Sequence, residues 1–310
     1  MSGWPALDYE ADKATIESLH LLAQLIGKLP VRLHPWINHG WHVALRMTPR
    51  GAITRPLPAD GRHFTAELDF HSGEIRLACD TGQEEALPVA GAPVADVHRS
   101  LSDMLASMGL PAPLGGGPNE MPDPVPFAED NRPRDWDADA ARRLHGAFLC
   151  ADSAFNAFRS LYRGKTSPSH LFWGSFDLAV TRFSGRRAPR HPGGIPHLPD
   201  EVTREAYSHE VISAGFWPGN GGFGQAAFYA YAYPVPETLS EVPIEPKAAG
   251  WSRELGEFVL PYASVREAAD PDAAVAQFLT STYAAAARLL DWPDDGVVGT
   301  SAVTGRPPAV

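Results

Sequence analysis

Apolar positions along the chain change period several times, and each change marks an element. Leu21, Leu22 and Leu25 recur at helical spacing, and Gly27-Lys28 reads as the stop of that helix. Val43, Leu45 and Met47 then alternate with His42, Ala44 and Arg46, the period of a strand, closed by the turn "TPRG". "RHFTAELDF" and "EIRLACD" alternate in the same way around Ser72-Gly73, a hairpin signal. Helical spacing returns at Val94, Val97, Leu101, Leu105 and Met108, predicting a helix over 93–110. A longer helical pattern fills 137–165, as one helix or two, with Asp137 or Asp139 as its cap. "EAYSHEVISAGF" and "QAAFYAYAYPVP" are strand-like runs around a glycine-rich turn. A last helix over 270–292 opens at Asp270-Pro271, an N-cap followed by an N1 proline.

These elements suggest a repeat. Residues 19–51 and 156–186 share Gly-Lys (27 and 164) and Trp (36 and 173), both at an offset of 137. After a two-residue shift, Trp41 answers Phe176, His42 answers Asp177 and Ala44 answers Ala179. The expected fold is therefore α+β: two similar α-β-β-β-α halves with mainly antiparallel sheets, related by a pseudo-twofold internal duplication. The halves are expected at 1–110 and 137–295, with a Pro-rich linker at 111–136 and a flexible tail at 296–310, together one compact unit. Chance matching of short motifs is the alternative.

Composition narrows the function classes. The chain has 310 residues, 44% hydrophobic and 20% charged, with a formal net charge of −11, and it carries no lysine-rich stripe. Nucleic-acid binding through phosphate contacts is not expected of such a surface. The N-terminus has neither the basic start nor the apolar core of a signal peptide, and no run of apolar residues is long enough to span a membrane. Cys79 and Cys150 sit in apolar runs without CxxC spacing, as buried free thiols do. The expectation is a soluble cytoplasmic protein. Its 30 prolines and 28 glycines cluster in 111–135, 186–201 and 216–222, which read as long ordered loops or linkers.

Several long motifs then stand together: "SPSHLFWGSFDLAVTRFSGR" (167–186), "REAYSHEVISAGFWPG" (204–219), "LGEFVLPY" (255–262), "NHGWHV" and "PNEMPDPVPFAED". With them the chain resembles a widespread bacterial family of unknown function over nearly its whole length. That resemblance implies no activity, so a functional reading rests on the residues.

Four constellations could carry chemistry. His39 and His42 form an HxxH pair that would share a metal on a helix. A strand sends the two side chains to opposite faces, unless Asn38-His39-Gly40 bends His39 round. Asp177 is a carboxylate in an apolar, aromatic strand, costly unless paired or ligated, with Arg182 on the opposite face. It is either a structural salt-bridge partner of an arginine or a functional base, ligand or anchor. His209 shares a strand face with Tyr207 and lies beside Glu210. Tyr229, Tyr231 and Tyr233 form a ladder whose other side is small, suited to packing on a helix.

The P-loop, dinucleotide, GxSxG and HExxH patterns do not occur. The expectation is an enzyme acting on a small molecule in an aromatic-lined cavity between the halves. His42, Asp177 and His209 would be catalytic; Trp36, Trp173, Arg182, Tyr207, Glu210, Trp217 and Tyr231 would contact substrate. A divalent metal held by His39, His42, Asp177 and His209 is one version, metal-free proton transfer another. A non-catalytic small-molecule-binding protein and a structural or interaction domain are the alternatives. No cofactor is indicated by motif, and the oligomeric state is not legible.

Overall fold

A computed structural model describes residues 3–195, 198–219 and 223–293; the expected tail at 296–310 lies outside them. The first half runs from helix α1 (Tyr9–Leu33) through strands β1 (Arg46–Met47), β2 (Gly51–Ile53), β3 (Leu57–Ala59), β4 (Arg62–Asp69), β5 (Glu74–Cys79) and β6 (Glu84–Pro88) to α2 (Val94–Ser107). The second opens with α3 (Ala138–Ser160), β7 (Lys165–Thr166), β8 (His170–Phe172), β9 (Asp177–Arg187), α4 (Asp200–Ala206) and β10 (His209–Trp217). It closes with β11 (Ala227–Tyr233), β12 (Gly250–Ser252), β13 (Glu257–Pro261), α5 (Tyr262–Glu267) and α6 (Pro271–Leu289).

All strand pairs are antiparallel, and the class is α+β as the patterning predicts. The six-stranded first sheet has the order β1-β2-β4-β5-β6, with β3 also on β4. The seven-stranded second sheet has the order β12-β13-β11-β10-β9-β7, with β8 also on β9. Leu45 and Leu171 exchange backbone hydrogen bonds of 2.9 Å and tie the two sheets together. The hairpin at Ser72-Gly73 forms as expected, with Asp69 opposite Glu74. Asp270 caps α6 through Ala273 N–H, and Asp137 caps a single continuous α3 through the N–H groups of Asp139 and Ala140.

The element order gives the duplication no support. Among the described residues strand and helix counts differ between the halves, α4 and α5 have no counterpart in the first, and the supposed equivalents sit in unlike settings. Trp36 is 52% exposed after α1, whereas Trp173 is buried. His42 lies in a turn, whereas Asp177 begins a strand.

Three local expectations are corrected. The first helix does not stop at Gly27-Lys28 but continues to Leu33. Gly27 is instead a notch: a Cβ there would lie 2.4 Å from Nε1 of Trp173, whose indole fills the space and donates to Val43 O at 2.9 Å. The strand predicted over 42–47 is shorter, because residues 41–43 form a turn after the one-turn 3-10 helix Asn38–Gly40. Residues 200–206 are helical, so Tyr207 ends a helix and does not share a strand face with His209. An irregularity between His209 and Val211 marks where β10 begins.

Helices α3 and α6 cover one face of the second sheet, the face bearing Leu178, Val180, Ile212, Ala214, Phe228 and Ala230. Arg182 points to this face. Its guanidinium lies among the rings of Phe158, Tyr162 and Tyr283 at 3.4, 4.7 and 4.3 Å and donates to Phe158 O. The Pro-rich segment 111–136 is an ordered strap, with Leu114, Phe127 and Asp130 buried. Gln24 of α1 clamps it at one peptide unit, donating to Asn119 O at 2.9 Å and accepting from Asn119 N–H at 2.7 Å.

Gly27→Ala separates the two roles of that glycine. Helix propensity alone would stabilise the chain by up to about 1 kcal/mol. Collision with the Trp173 indole is expected to reverse the sign, to a loss of about 1–3 kcal/mol in urea unfolding. A variant more stable than the parent would show that the notch is not needed.

Candidate functional site

The other face of the second sheet is the floor of a cavity of about 550 Å³. Alternation along each strand sends Asp177, Ala179 and Thr181 of β9, Ser213 and Trp217 of β10, Tyr229 and Tyr231 of β11, and Glu257 of β13 toward it. The register aligns Thr181, Ser213 and Tyr231 across three strands. The walls come from the turn after α1 (Trp36, His39, Val43), from the strap (Asn119, Glu120), from Phe172–Ser175, and from α4 with the residues flanking it (Leu198, Val202, Thr203, Tyr207). Segments on both sides of residues 111–136 therefore contribute.

Asp177, the first residue of β9, is a buried carboxyl on the cavity floor. It accepts from the hydroxyls of Ser175 and Tyr229, one at each carboxyl oxygen. Tyr229 reaches it by laying its ring across β10, where Gly215 stands. A Cβ on Gly215 would come within 2.3 Å of that ring, so the glycine makes the contact sterically available. Burial raises the Asp177 carboxyl above its ordinary range, against the lowering effect of the two hydroxyls. Burial and the nearby Asp177 charge keep Tyr229 a phenol, well above its usual titration.

Two further carboxyls border the same cavity. Glu120 comes from the strap; it keeps solvent-facing surface, yet enclosure by the surrounding protein and the proximity of Asp177 push it up to about 7. It packs where Gly174 has no side chain, since a Cβ there would lie 2.1 Å from Oε1. Glu257 is half-buried, and the same two causes push it up to about 8. Among the described residues its Oε2 has no hydrogen-bond partner, nor has Oγ1 of Thr203, a residue only 1% exposed. Tyr207 and Tyr231 are hydrogen-bonded to each other at 2.8 Å, and burial raises both. No lysine or arginine lines the cavity among the described residues.

Backbone strain concentrates here as well. Apart from three aspartates, the described non-glycine residues with positive φ are His39 (64°), Glu120 (55°) and Phe176 (57°). The first two line the cavity and the third precedes Asp177. Left-handed conformations of such residues cost free energy and persist where the surrounding structure enforces them. At Phe176 that support includes His20, whose ring stacks on it at 5.1 Å and whose Nε2 donates to Gly174 O at 2.9 Å.

Of the residues singled out in the sequence, Trp36, His39, Trp173, Asp177, Tyr207, Trp217 and Tyr231 come together around this space. His42, Arg182, His209 and Glu210 do not. The positive-φ turn sends His39 inward against Tyr207, Phe172 and Phe183, and burial lowers its pKa to about 4, so the imidazole is neutral. His42 points elsewhere, its Nδ1 accepting from Ile37 N–H at 3.3 Å beneath the Trp36 ring. His209 is exposed, and Glu210 is held by Ser184 at 2.8 Å and by Arg186. Asp177 has hydroxyl partners rather than an arginine. Among the described residues no group of three or more His, Cys, Asp or Glu side chains is placed to hold a metal, so His39, His42, Asp177 and His209 do not form a ligand set.

Sequence reasoning missed Glu120, Glu257 and Thr203. Glu120 was hidden in a Pro-rich stretch, and Glu257 lies in a strand too short for its alternation to be read. The one available signal was the polar residue opening the apolar run "EFVLP".

Glu257 makes stability depend on pH with a definite sign. The folded chain keeps the Glu257 proton to about 8, whereas an unfolded glutamate releases it near 4.5. The native state therefore loses stability as pH rises through that window. Glu257→Gln removes the penalty. Its advantage over the parent in urea unfolding is expected to be absent near the acid end and to reach on the order of 1–3 kcal/mol at the alkaline end. An advantage that does not change with pH would contradict the assignment.

No helix among the described residues is long and apolar enough to cross a membrane. Searches of curated proteins and of solved structures found no match. The model of the Family of unknown function (DUF5996) matches residues 4–298, and that span includes every described residue of the cavity. With nearly its whole length matched, the chain belongs to this family of unknown function.

Proposed function

We propose that the protein is an enzyme acting on a small molecule in this cavity, with enclosed carboxyls as its proton-transfer groups. The observation that carries the proposal is the convergence of Asp177, Glu120 and Glu257 on one aromatic-walled space. A carboxyl balanced near neutral pH both gives and takes a proton at low cost, which suits general acid–base catalysis. Glu120 meets this condition at about 7. Asp177 is fixed by Ser175 and Tyr229, and its charge adds to the effect of burial in raising Glu120 and Glu257. His39 contributes a neutral imidazole, and Trp36, Trp173, Trp217, Tyr207 and Tyr231 supply flat surfaces against which an organic substrate would lie. His42 and His209, outside the cavity, have no part in this reading. Enclosed carboxyls and strained backbone are features that functional sites concentrate.

The test is a metabolite library screened by thermal shift, with each stabilising compound followed for conversion by mass spectrometry. At least one compound is expected to be consumed by the parent chain. Glu120→Gln is expected to retain its binding while conversion falls by about 10²-fold or more. Binding without conversion of any compound would overturn the enzyme and favour a small-molecule-binding protein.

A further inference from the structure

We propose that the ligand of this cavity is an organic cation: a protonated amine with a flat apolar body, its N–H groups directed to Glu257 and Thr203. The proposal rests on the cavity reading above and adds the chemical class.

Three independent features point to it. The first is the sign of the unfilled hydrogen-bonding capacity. Among the described lining residues, the buried side-chain atoms without a partner are Oε2 of Glu257 and Oγ1 of Thr203. Both can accept hydrogen bonds, the Thr203 hydroxyl can also donate, and among the described lining residues no buried side-chain nitrogen is left without a partner. Buried polar atoms are normally satisfied, and an ammonium, which carries only donors, completes both oxygens when Glu257 is ionised. Thr203 is on α4 and Glu257 on β13, so one orphaned oxygen belongs to a wall and the other to the floor.

The second feature is charge. Three carboxyls border the space and no described lysine or arginine does. An arriving cation would lower the cost of ionising Glu257 and Glu120 within protein, whereas an anion would raise it. The aromatic walls act in the same direction, because the faces of Trp and Tyr rings attract cations.

The third feature is the rim. Among the described residues the exposed large hydrophobic side chains are Val31, Trp36, Ile37, Ile195 and Val235. Val31, Trp36 and Ile195 of these line the cavity, and Ile37 adjoins Trp36. Exposed apolar surface gathered at the mouth of a pocket is suited to a ligand whose body is apolar. A simple inorganic cation would leave it uncovered.

Three probes of similar size and opposite charge type test the assignment on the intact chain: phenethylamine, 2-phenylethanol and 3-phenylpropanoate. Binding is read by calorimetry and by tryptophan fluorescence, since Trp36, Trp173 and Trp217 line the site. The amine is expected to bind about tenfold or more tighter than the alcohol, and the carboxylate weakest of the three. Amine affinity is expected to rise between about pH 6 and about pH 8, with protons released on binding. Glu257→Gln and Thr203→Val are each expected to weaken the amine severalfold while leaving the alcohol unchanged. Equal or better binding of the alcohol or carboxylate would overturn the amine while leaving the cavity as a binding site. Failure of all three probes would also overturn it, and the enzyme reading would still be judged by the library screen.

Discussion

A carboxyl group buried beneath a sheet has to be satisfied within the protein, and Asp177 imposes that requirement on much of the second half. Its two oxygens take hydroxyl donors from Ser175, two residues before it, and from Tyr229, two strands away. The distant donor needs a path for its ring across β10, and Gly215 provides it. The near donor needs a turn into β9, made with Phe176 in a left-handed conformation that non-glycine residues seldom adopt. Trp173 and Gly174, at the start of that turn, are held from α1 through Gly27 and His20. The position of one carboxyl is thus tied to the first helix, to the strap and to three strands.

Electrostatics follows from the same placement. Glu120 and Glu257 reach the cavity from opposite sides of the chain order, one on the strap and one on β13. Each is raised first by its own burial and then by Asp177. Three acids bordering one cavity cannot all ionise cheaply, so they hold protons in a range where ordinary carboxyls are fully charged. The free chain holds this cluster at a cost to its stability.

The elements were largely legible in the sequence, because their periods come from burial on one face. The helices near 93–110, 137–165 and 270–292 and the hairpin at Ser72-Gly73 were of this kind. Gly27 was misread because a glycine in a helix is a stop signal locally and a packing notch only once Trp173 is placed against it. His209 was overvalued for a similar reason: an assumed strand put it on the face of Tyr207, but the helix at 200–206 ends just before it. Asp177 was found because a charge in an apolar strand is anomalous on sight. Its partners were not, since Tyr229 is 52 residues away in sequence. Glu120 carried no periodic signal at all. Its role arises from the clamp between Gln24 and Asn119, a contact between a helix and an aperiodic strap.

The central claim is that three carboxyls share an enclosed, proton-retaining environment. Carbon-13 NMR titration of the aspartate and glutamate side-chain carboxyls tests it most directly, with Asp177→Asn, Glu120→Gln and Glu257→Gln used for assignment. The account predicts three carboxyls titrating above the ordinary range, Glu120 near 7 and Glu257 near 8, with both moving down in Asp177→Asn. Ordinary acidic titration of all three, or no response of the glutamates to the loss of the Asp177 charge, would contradict it.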